Sequence, residues 1–171
     1  MLWFYTSSMT LGVEQIKIVK PVNYQRVDET LSRSGQIERP NIIWLKVNGV
    51  TDVINFRTMR DPKIDFDEGK LLTSMGIKYH NIPSVSRSPK EENVGKFLDI
   101  IEDVKARSGK VHIHCKQGAD RTGMYAYIYE TLNKVGTEGS RLVEMFRHGY
   151  HFKTYPHLIG WANDFVKHFK A

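Results

Sequence analysis

The chain has 171 residues, of which 40% are hydrophobic and 26% are charged, and its formal net charge is +6. This length suffices for one domain with a buried core and is short for two, so we expect a single domain over residues 1–171, with residues 1–15 as a flexible extension. The single cysteine excludes an internal disulfide. The positive charge suits anionic substrates. The sequence contains no block of Lys and Arg interleaved with aromatic residues, which would indicate nucleic-acid binding.

The segment from Met1 to Met9 is apolar and aromatic, but it lacks the basic region that begins a signal peptide. Glu14 and Lys17 then interrupt the apolar character. We therefore expect neither a signal peptide nor a membrane span, and we expect a cytoplasmic location. The sequence leaves the oligomeric state open.

Apolar periodicity, interrupted by Gly and Pro, predicts alternating strands and helices along the chain. In chain order these are extended edge segments at Ile16–Val19 and Val27–Ser34, a helix at Pro40–Val47, a strand at Val50–Phe56, a helix at Phe66–Met75, a strand at Ile77–Ile82, a helix at Pro89–Arg107, a strand at Lys110–Ile113, and helices at Thr122–Lys134, Glu138–Arg147 and Thr154–Phe169. The alternation predicts an α/β three-layer sandwich in which helices flank a central, mainly parallel sheet of four to five strands.

The most informative segment runs from His114 to Gly123 and contains the only cysteine, Cys115. It lies between a predicted strand and a predicted helix, so it forms a loop that enters a helix N-terminus. Such a loop presents unpaired N–H groups and the positive end of the helix dipole, which bind an anion. The same field favours a negatively charged sulfur, and we predict that Cys115 is a thiolate at neutral pH.

Arg121 lies six positions after Cys115, and its planar guanidinium can donate two hydrogen bonds to two phosphate oxygens. We expect the hydroxyl of Thr122 to hydrogen-bond the Cys115 sulfur and to stabilise it as a leaving group. A lone cysteine is more often a small buried hydrophobe, but the ordered combination favours a nucleophile. The residues whose amides are predicted to bind phosphate are Lys116, Gln117, Gly118, Ala119, Asp120 and Arg121.

The segment from His114 to Gly123 resembles the His-Cys-x5-Arg-Ser/Thr-Gly signature of cysteine-dependent protein tyrosine and dual-specificity phosphatases. Asn23–Asp28, Arg33–Gln36 and Gly49–Arg57 resemble the small bacterial TpbA-like and the plant and fungal atypical dual-specificity phosphatases, and His148–Phe152 resembles the bacterial branch. The resemblance covers roughly residues 23–152. It implies the fold of a dual-specificity phosphatase and a phosphocysteine intermediate that water hydrolyses without a metal or cofactor.

The resemblance also implies supporting roles for two residues. His114 would hold the cysteine loop through a hydrogen bond to the backbone, and Arg57, at the end of a strand, would emerge at the same sheet edge as Cys115. For Arg57 the alternative is a surface ion pair. His112 and His114 alternate along one strand, a spacing that some zinc sites use, but no further ligand set is evident and we expect no metal. Lys116 either points into the cleft or is solvated.

The general acid of the predicted site has three candidates. Dual-specificity phosphatases usually carry an aspartate about three residues after a proline, but Pro83 is followed by Ser84, Val85 and Ser86. The resemblance favours Glu91, then Glu92, with Asp120 third. For Glu91 there is an equally good alternative, because Ser88-Pro89-Lys90-Glu91 matches a capping box.

We therefore expect a phosphomonoester hydrolase, a protein tyrosine or dual-specificity phosphatase acting on a phosphorylated protein or a small phosphorylated substrate. Three alternatives stay open. A phosphoinositide or inositol phosphate phosphatase would use the same loop. The missing aspartate would also suit a catalytically weak phosphate-binding module. A sulfur transferase of the rhodanese type uses a cysteine loop too.

Overall fold

The computed structural model describes residues 18–169, so the predicted extension 1–15 and the start of the Ile16–Val19 segment lie outside the described residues. The strands are β1 (Gln25–Arg26), β2 (Leu31–Ser34), β3 (Asp52–Asn55), β4 (Lys78–Asn81) and β5 (Val111–His114). The helices are α1 (Arg39–Val47), α2 (Glu68–Ser74), α3 (Glu91–Ala106), α4 (Asp120–Leu132), α5 (Glu138–Arg147) and α6 (Leu158–Phe169).

The five strands form one sheet in the order β1-β2-β5-β3-β4. β1 pairs antiparallel with β2, and the other three pairings are parallel. This confirms the predicted α/β class and the mainly parallel sheet. One detail of the prediction was wrong: the segment Val27–Ser34 does not lie at an edge, because the short β1 adds outside β2 and leaves it between β1 and β5.

Helices pack against both faces of the sheet, and β3 shows how the sequence allows this. Val53 and Ile54 are neighbours with no exposed surface, yet they belong to two different apolar clusters, because successive strand residues point to opposite faces. One cluster joins β3 to α1 and α2. The other joins the sheet to α3, α4, α5 and α6. The cysteine loop lies where β5 ends and α4 begins.

Helix α4 is buried on almost every side, and its tyrosines pack in the core. Tyr125 stacks on Phe56 with ring centroids 3.8 Å apart, and its hydroxyl shares a hydrogen bond of 2.8 Å with Ser84. The longest described helix is α3, with 16 residues. Within residues 18–169 no helix is both long enough and apolar enough to cross a membrane.

Five of the six helices begin one to four residues from the predicted start, and two of these differences have a physical reason. The capping box at Ser88 is not formed, because Ser88 belongs to a turn in which its N–H donates to the Val85 carbonyl, and α3 begins at Glu91 with no side-chain cap. α6 begins at Leu158 rather than Thr154. Pro156 disfavours helical backbone at the residue before it, so the preceding segment forms turns instead.

Candidate active site

The loop between β5 and α4 forms the floor of a cavity of about 320 Å³. Cys115 is only 2% exposed, yet it lines this cavity, and its Sγ accepts a hydrogen bond of 3.3 Å from the N–H of Gly118. The lining residues are Thr58, Arg60, Asp61, Ser84, Val85, Ser86, Cys115, Lys116, Gln117, Asp120, Arg121 and Tyr155. The structure therefore brings the predicted nucleophile and the predicted phosphate-binding arginine to one cavity.

Gly118 has φ +75°, a left-handed conformation that few other residues adopt, and it lets the loop turn tightly above the sheet. A Cβ at this position would lie 2.6 Å from the backbone of Ser34 and Gly35. The cysteine loop thus packs backbone against backbone on the segment that follows β2.

Arg121 forms a two-point ion pair with Asp61, with Nη1 to Oδ2 at 2.7 Å and Nη2 to Oδ1 at 2.8 Å. Nη1 also donates to the carbonyl of Phe56 at 3.3 Å. The hydrogen bonds from Arg121 lower the pKa of Asp61 well below its ordinary value of 3.8. Both side chains line the cavity. Sequence reasoning missed Asp61, which is separated from Arg121 by 60 positions and carries no local motif.

Asp120 also lines the cavity, and His151 holds its carboxylate from the other side. The backbone N–H of His151 donates to Oδ1 at 2.8 Å, and its ring Nδ1 donates to Oδ2 at 2.9 Å. Asp120 is 9% exposed, whereas the side chain of His151 is 48% exposed. The stretch around His151 that the resemblance singled out thus reaches the cysteine loop.

The two glutamates favoured as general acid lie elsewhere. Glu91 is exposed at the first residue of α3, and it is absent from the residues that line the cavity. Glu92 is exposed as well, and it pairs with Lys96 at 2.6 Å on the surface of the same helix. Of the three acids proposed from the sequence, only Asp120 shares the cavity with Cys115.

The hydroxyl of Thr122 does not make the predicted hydrogen bond to the Cys115 sulfur. Thr122 is fully buried, and its Oγ1 has no hydrogen-bond partner among the residues that the structure describes. The sulfur accepts from Gly118 instead. Lys116 is exposed and is one of the residues that line the cavity.

Buried side chains hold the two histidines of β5. Nε2 of His114 donates to Oε1 of Glu68 at 2.9 Å, and its Nδ1 lies 3.4 Å from the Cys115 carbonyl oxygen. The ring nitrogens of His112 lie 2.9 and 2.8 Å from the hydroxyls of Ser32 and Ser34. Burial, together with the charge of His114, lowers the pKa of His112 well below 6.5. Both rings are therefore engaged by the protein itself.

Glu68 is 4% exposed and is the central acceptor of this network. It also accepts from Gln36 at 2.7 Å and from Asn55 at 3.0 Å. Burial raises the pKa of Glu68, but the charge of His114 and these hydrogen bonds outweigh it, and the net pKa lies below the ordinary value of 4.5. In the described part of the chain no three His, Cys, Asp or Glu side chains are grouped so as to hold a metal ion.

Arg57 follows β3 as expected, but its guanidinium does not enter the cavity of Cys115. It donates to the side chain of Gln36 and to the carbonyl of Pro62, and it lines a second cavity of about 730 Å³. The two cavities share Thr58, Arg60, Asp61 and Val85. Arg57 therefore supports the loop that separates the two cavities, and no acid pairs with it in a salt bridge among residues 18–169.

A mainly parallel sheet whose cysteine loop enters a helix, with an arginine on the same cavity, is the arrangement that the sequence led us to expect of a phosphatase with a cysteine loop. Residues 12–144 match the sequence model of a family described as DSP-PTPase phosphatase fused to NAD+ kinase. Because the match covers more than half of the chain, the protein belongs to this DSP-PTPase phosphatase family.

Two relatives illustrate the similarity in sequence. The dual specificity protein phosphatase TpbA of Pseudomonas aeruginosa (strain UCBPP-PA14) is 26% identical over 131 residues, which cover 75% of this chain and 56% of the relative. The chain thus spans only about half the length of this curated relative. A solved structure of a putative phosphatase from Shewanella putrefaciens CN-32 is 25% identical, with a TM-score of 0.73 over 86% of this chain and 93% of that one.

Two further solved structures share the fold at lower identity. P. aeruginosa TpbA in complex with pTyr is 22% identical, with a TM-score of 0.68 over 84% of this chain and 85% of that one. The core catalytic domain of a PP-IP phosphatase from S. cerevisiae is 16% identical, with a TM-score of 0.70 over 89% of this chain and 93% of that one. The fold is therefore shared by a phosphatase that was solved with pTyr and by a PP-IP phosphatase.

Proposed function

We propose that the protein hydrolyses phosphomonoesters through a phosphocysteine intermediate formed on Cys115. The supporting observation is that the Cys115 sulfur and the Arg121 guanidinium line one cavity at a helix N-terminus. The sulfur attacks phosphorus and the bond from phosphorus to the ester oxygen breaks, so that the alcohol or phenol departs. Water then attacks the phosphocysteine and releases phosphate. No metal or cofactor takes part in this scheme.

The loop amides and Arg121 stabilise the charge on the transferring phosphoryl group. The ion pair with Asp61 uses the edge of the Arg121 guanidinium formed by Nη1 and Nη2. The edge formed by Nε and the second N–H of Nη2 is the one that grips two phosphate oxygens. The buried hydroxyl of Thr122 has no hydrogen-bond partner among residues 18–169, and in this scheme it turns to the sulfur only when the phosphocysteine breaks down.

Asp120 is the proton donor for the leaving oxygen in this proposal. It is the acid among the sequence candidates that shares the cavity with Cys115, and the usual aspartate after Pro83 is replaced by serine and valine. Asp61, the other carboxylate at the cavity, is held ionised by Arg121 and is a poor proton donor. His151 keeps the Asp120 carboxyl group in place, and this group donates its proton to the leaving oxygen.

A phosphorylated protein, with phosphotyrosine as the reacting residue, is the substrate class that we propose. Tyr155 and Val85 supply an apolar wall for the phenyl ring at the cavity. The adjoining cavity of about 730 Å³, with Met59, Ile64 and Phe66 on its lining, offers room for residues that flank a phosphotyrosine. TpbA, a relative with the same fold, binds pTyr.

Inositol phosphates or phosphoinositides are the second candidate substrates, because two cations, Arg60 and Lys116, lie exposed at the cavity and suit additional phosphate groups. A panel of phosphotyrosine peptides, phosphoinositides and inositol phosphates separates the two candidates by phosphate release. We expect the highest kcat/KM with a phosphotyrosine peptide. A preference for the inositol compounds would reverse the assignment of substrate.

The mechanism is tested with Cys115→Ser in the same panel. We expect no phosphate release, because an unactivated hydroxyl is a weak nucleophile, while phosphate still binds to the intact loop. Substantial turnover by this variant would refute the assignment of Cys115. Lack of turnover by the wild-type protein, with phosphate binding retained, would instead indicate a phosphate-binding module.

A further inference from the structure

Three consecutive carbonyl groups of the cysteine loop each accept a hydrogen bond from the segment between Asn23 and Gln36. The Lys116 carbonyl accepts from the backbone N–H of Gln36 at 3.0 Å. The Gln117 carbonyl accepts from Nδ2 of Asn23 at 3.0 Å. The Gly118 carbonyl accepts from Nη2 of Arg33 at 2.6 Å. We call these three donors the carbonyl clamp.

Because the peptide bond is planar, these three hydrogen bonds also orient the amide N–H groups of the anion site. In a trans peptide the carbonyl and the following N–H point in opposite directions, so fixing one fixes the other. The clamp therefore sets the direction of the N–H groups of Gln117, Gly118 and Ala119. The N–H of Gly118 points at the Cys115 sulfur at 3.3 Å, on the cavity side. The N–H groups of Gln117 and Ala119 donate to no residue within the range 18–169.

Among the three clamp residues, Arg33 is the one whose burial is hardest to explain by a contribution to stability. Its side chain is 2% exposed, and its Nε has no hydrogen-bond partner in the described part of the chain. A buried guanidinium is costly unless it is paired, yet the one direct hydrogen bond that Arg33 makes within residues 18–169 goes to the Gly118 carbonyl. Burial lowers its pKa to about 10, against the charges of Glu130, Cys115 and Glu144, so it stays a cation at neutral pH.

Asn23 connects the loop to a second element. It has φ +57°, a conformation that asparagine tolerates better than most residues. Its Nδ2 donates to the carbonyls of Gln117 and His148, and its Oδ1 accepts from the His148 ring at 2.6 Å. Asn23 is thus held from two sides in the orientation that places its amide on the loop.

We propose that Arg33 and Asn23 are positioning residues for catalysis: they hold the carbonyls of Gln117 and Gly118 away from the bound phosphate, so that the following amides face it. This inference rests on the proposed function. Without Arg33 the peptide between Gly118 and Ala119 is free to rotate, since glycine restricts it little. A rotated peptide would present a carbonyl oxygen to a dianion and would remove one amide donor.

The test compares Arg33→Met with the matched control Arg26→Met, which removes an exposed arginine from the neighbouring strand β1. Orthovanadate, a mimic of the transferring phosphoryl group, is the probe. We expect Arg33→Met to weaken vanadate inhibition and to lower kcat by about tenfold or more each, because a misplaced amide donor acts mainly on the transition state. We expect KM to change less, and Arg33→Lys to recover part of the loss.

Asn23→Asp is the second variant, and it tests the clamp independently if Arg33→Met does not fold. It replaces the Nδ2 donor by an oxygen that repels the Gln117 carbonyl while it keeps the size of the side chain. We expect weaker vanadate inhibition here too. A merely structural role would lower the melting temperature of either variant but leave kcat and vanadate inhibition of the folded fraction equal to the control.

The outcomes separate this inference from the proposed function. Equal vanadate inhibition and kcat in the control and in both clamp variants would overturn the clamp and leave the phosphatase assignment intact. A wild-type protein that binds phosphate without turnover would overturn the proposed enzyme, and the clamp would then stand if phosphate binding fell in Arg33→Met. A wild-type protein that binds neither anion would overturn both.

Discussion

Asp61 and Arg121 form a two-point ion pair across the cavity, with oxygen-to-nitrogen distances of 2.7 and 2.8 Å. The pair joins the loop after β3 to the first turn of α4. It leaves the guanidinium with one defined orientation, because Nη1 also donates to the Phe56 carbonyl. Orientation of a cation before the substrate arrives reduces the reorganisation that the reaction requires.

We predict that Asp61→Asn lowers kcat/KM for p-nitrophenyl phosphate by about tenfold, because one charged anchor of Arg121 is lost. Asp65→Asn, an exposed change in the same loop, is the matched control and should have no effect. Steady-state kinetics check the prediction. A higher kcat/KM in Asp61→Asn would mean that the carboxylate competes with phosphate for the guanidinium.

The same ion pair has a consequence for stability at low pH. The pKa of Asp61 is depressed below its ordinary value of 3.8, so its stabilising contribution is present above that pH and is lost as the pH falls through the folded-state pKa. The difference in unfolding free energy between wild type and Asp61→Asn should therefore shrink below pH 3.8. Urea unfolding at several pH values measures it.

Asp120→Asn should slow the hydrolysis of a phosphotyrosine peptide far more than that of 2,4-dinitrophenyl phosphate, whose leaving group departs without a proton. General acid catalysis contributes about 10²- to 10⁴-fold, so the ratio of the two effects should be large. Asparagine still accepts a hydrogen bond from the His151 N–H. Glu91→Gln is the comparison. If the loss of rate depended on the leaving group in Glu91→Gln and not in Asp120→Asn, the general acid would be Glu91 of α3.

Glu68→Gln should lower the free energy of unfolding by about 3 kcal/mol, because it removes the charge of a buried pair with His114. Glu102→Gln replaces an exposed glutamate of α3 and should change the unfolding free energy by less than about 0.5 kcal/mol. Urea denaturation at neutral pH compares the two. Equal stability of both variants would show that Glu68 serves as a neutral hydrogen-bond acceptor.

The part of the site that could be predicted from the sequence is the part that one loop contains. Cys115, Arg121 and the amides between them lie on consecutive residues, so a strand, a loop and a helix start suffice to place them together. The parallel sheet was predictable for a similar reason, because the apolar runs and the Gly and Pro between them are local signals.

The residues that sequence reasoning missed meet the loop only through the fold. Arg33 and Gly118 lie 85 positions apart, and Glu68 and His114 lie 46 apart. Their contacts depend on strand order, since β2 and β3 flank β5 in the sheet, and strand order leaves no periodic trace in the sequence. The predicted helix start was wrong where a turn formed at the same residues, as at Ser88.

The raised pKa of Glu130 predicts how the stability of the protein changes with pH. This residue of α4 is 6% exposed, and burial raises its pKa from 4.5 to about 7, although the charges of Arg33 and Arg141 oppose the rise. Between these two pH values the folded protein keeps a proton that the unfolded chain has released. Stability therefore falls as the pH rises through that window.

Glu130→Gln has no proton to lose, so it should remove this decline. Relative to the wild type, its free energy of unfolding should rise progressively from pH 4.5 to pH 7 and reach a gain of up to about 3 kcal/mol above pH 7. Urea unfolding at intervals across this range measures both curves, with Glu102→Gln as the control for an exposed glutamate. Parallel curves for wild type and Glu130→Gln would show that Glu130 is ionised in the folded protein throughout this range, because the charges of Arg33 and Arg141 outweigh burial.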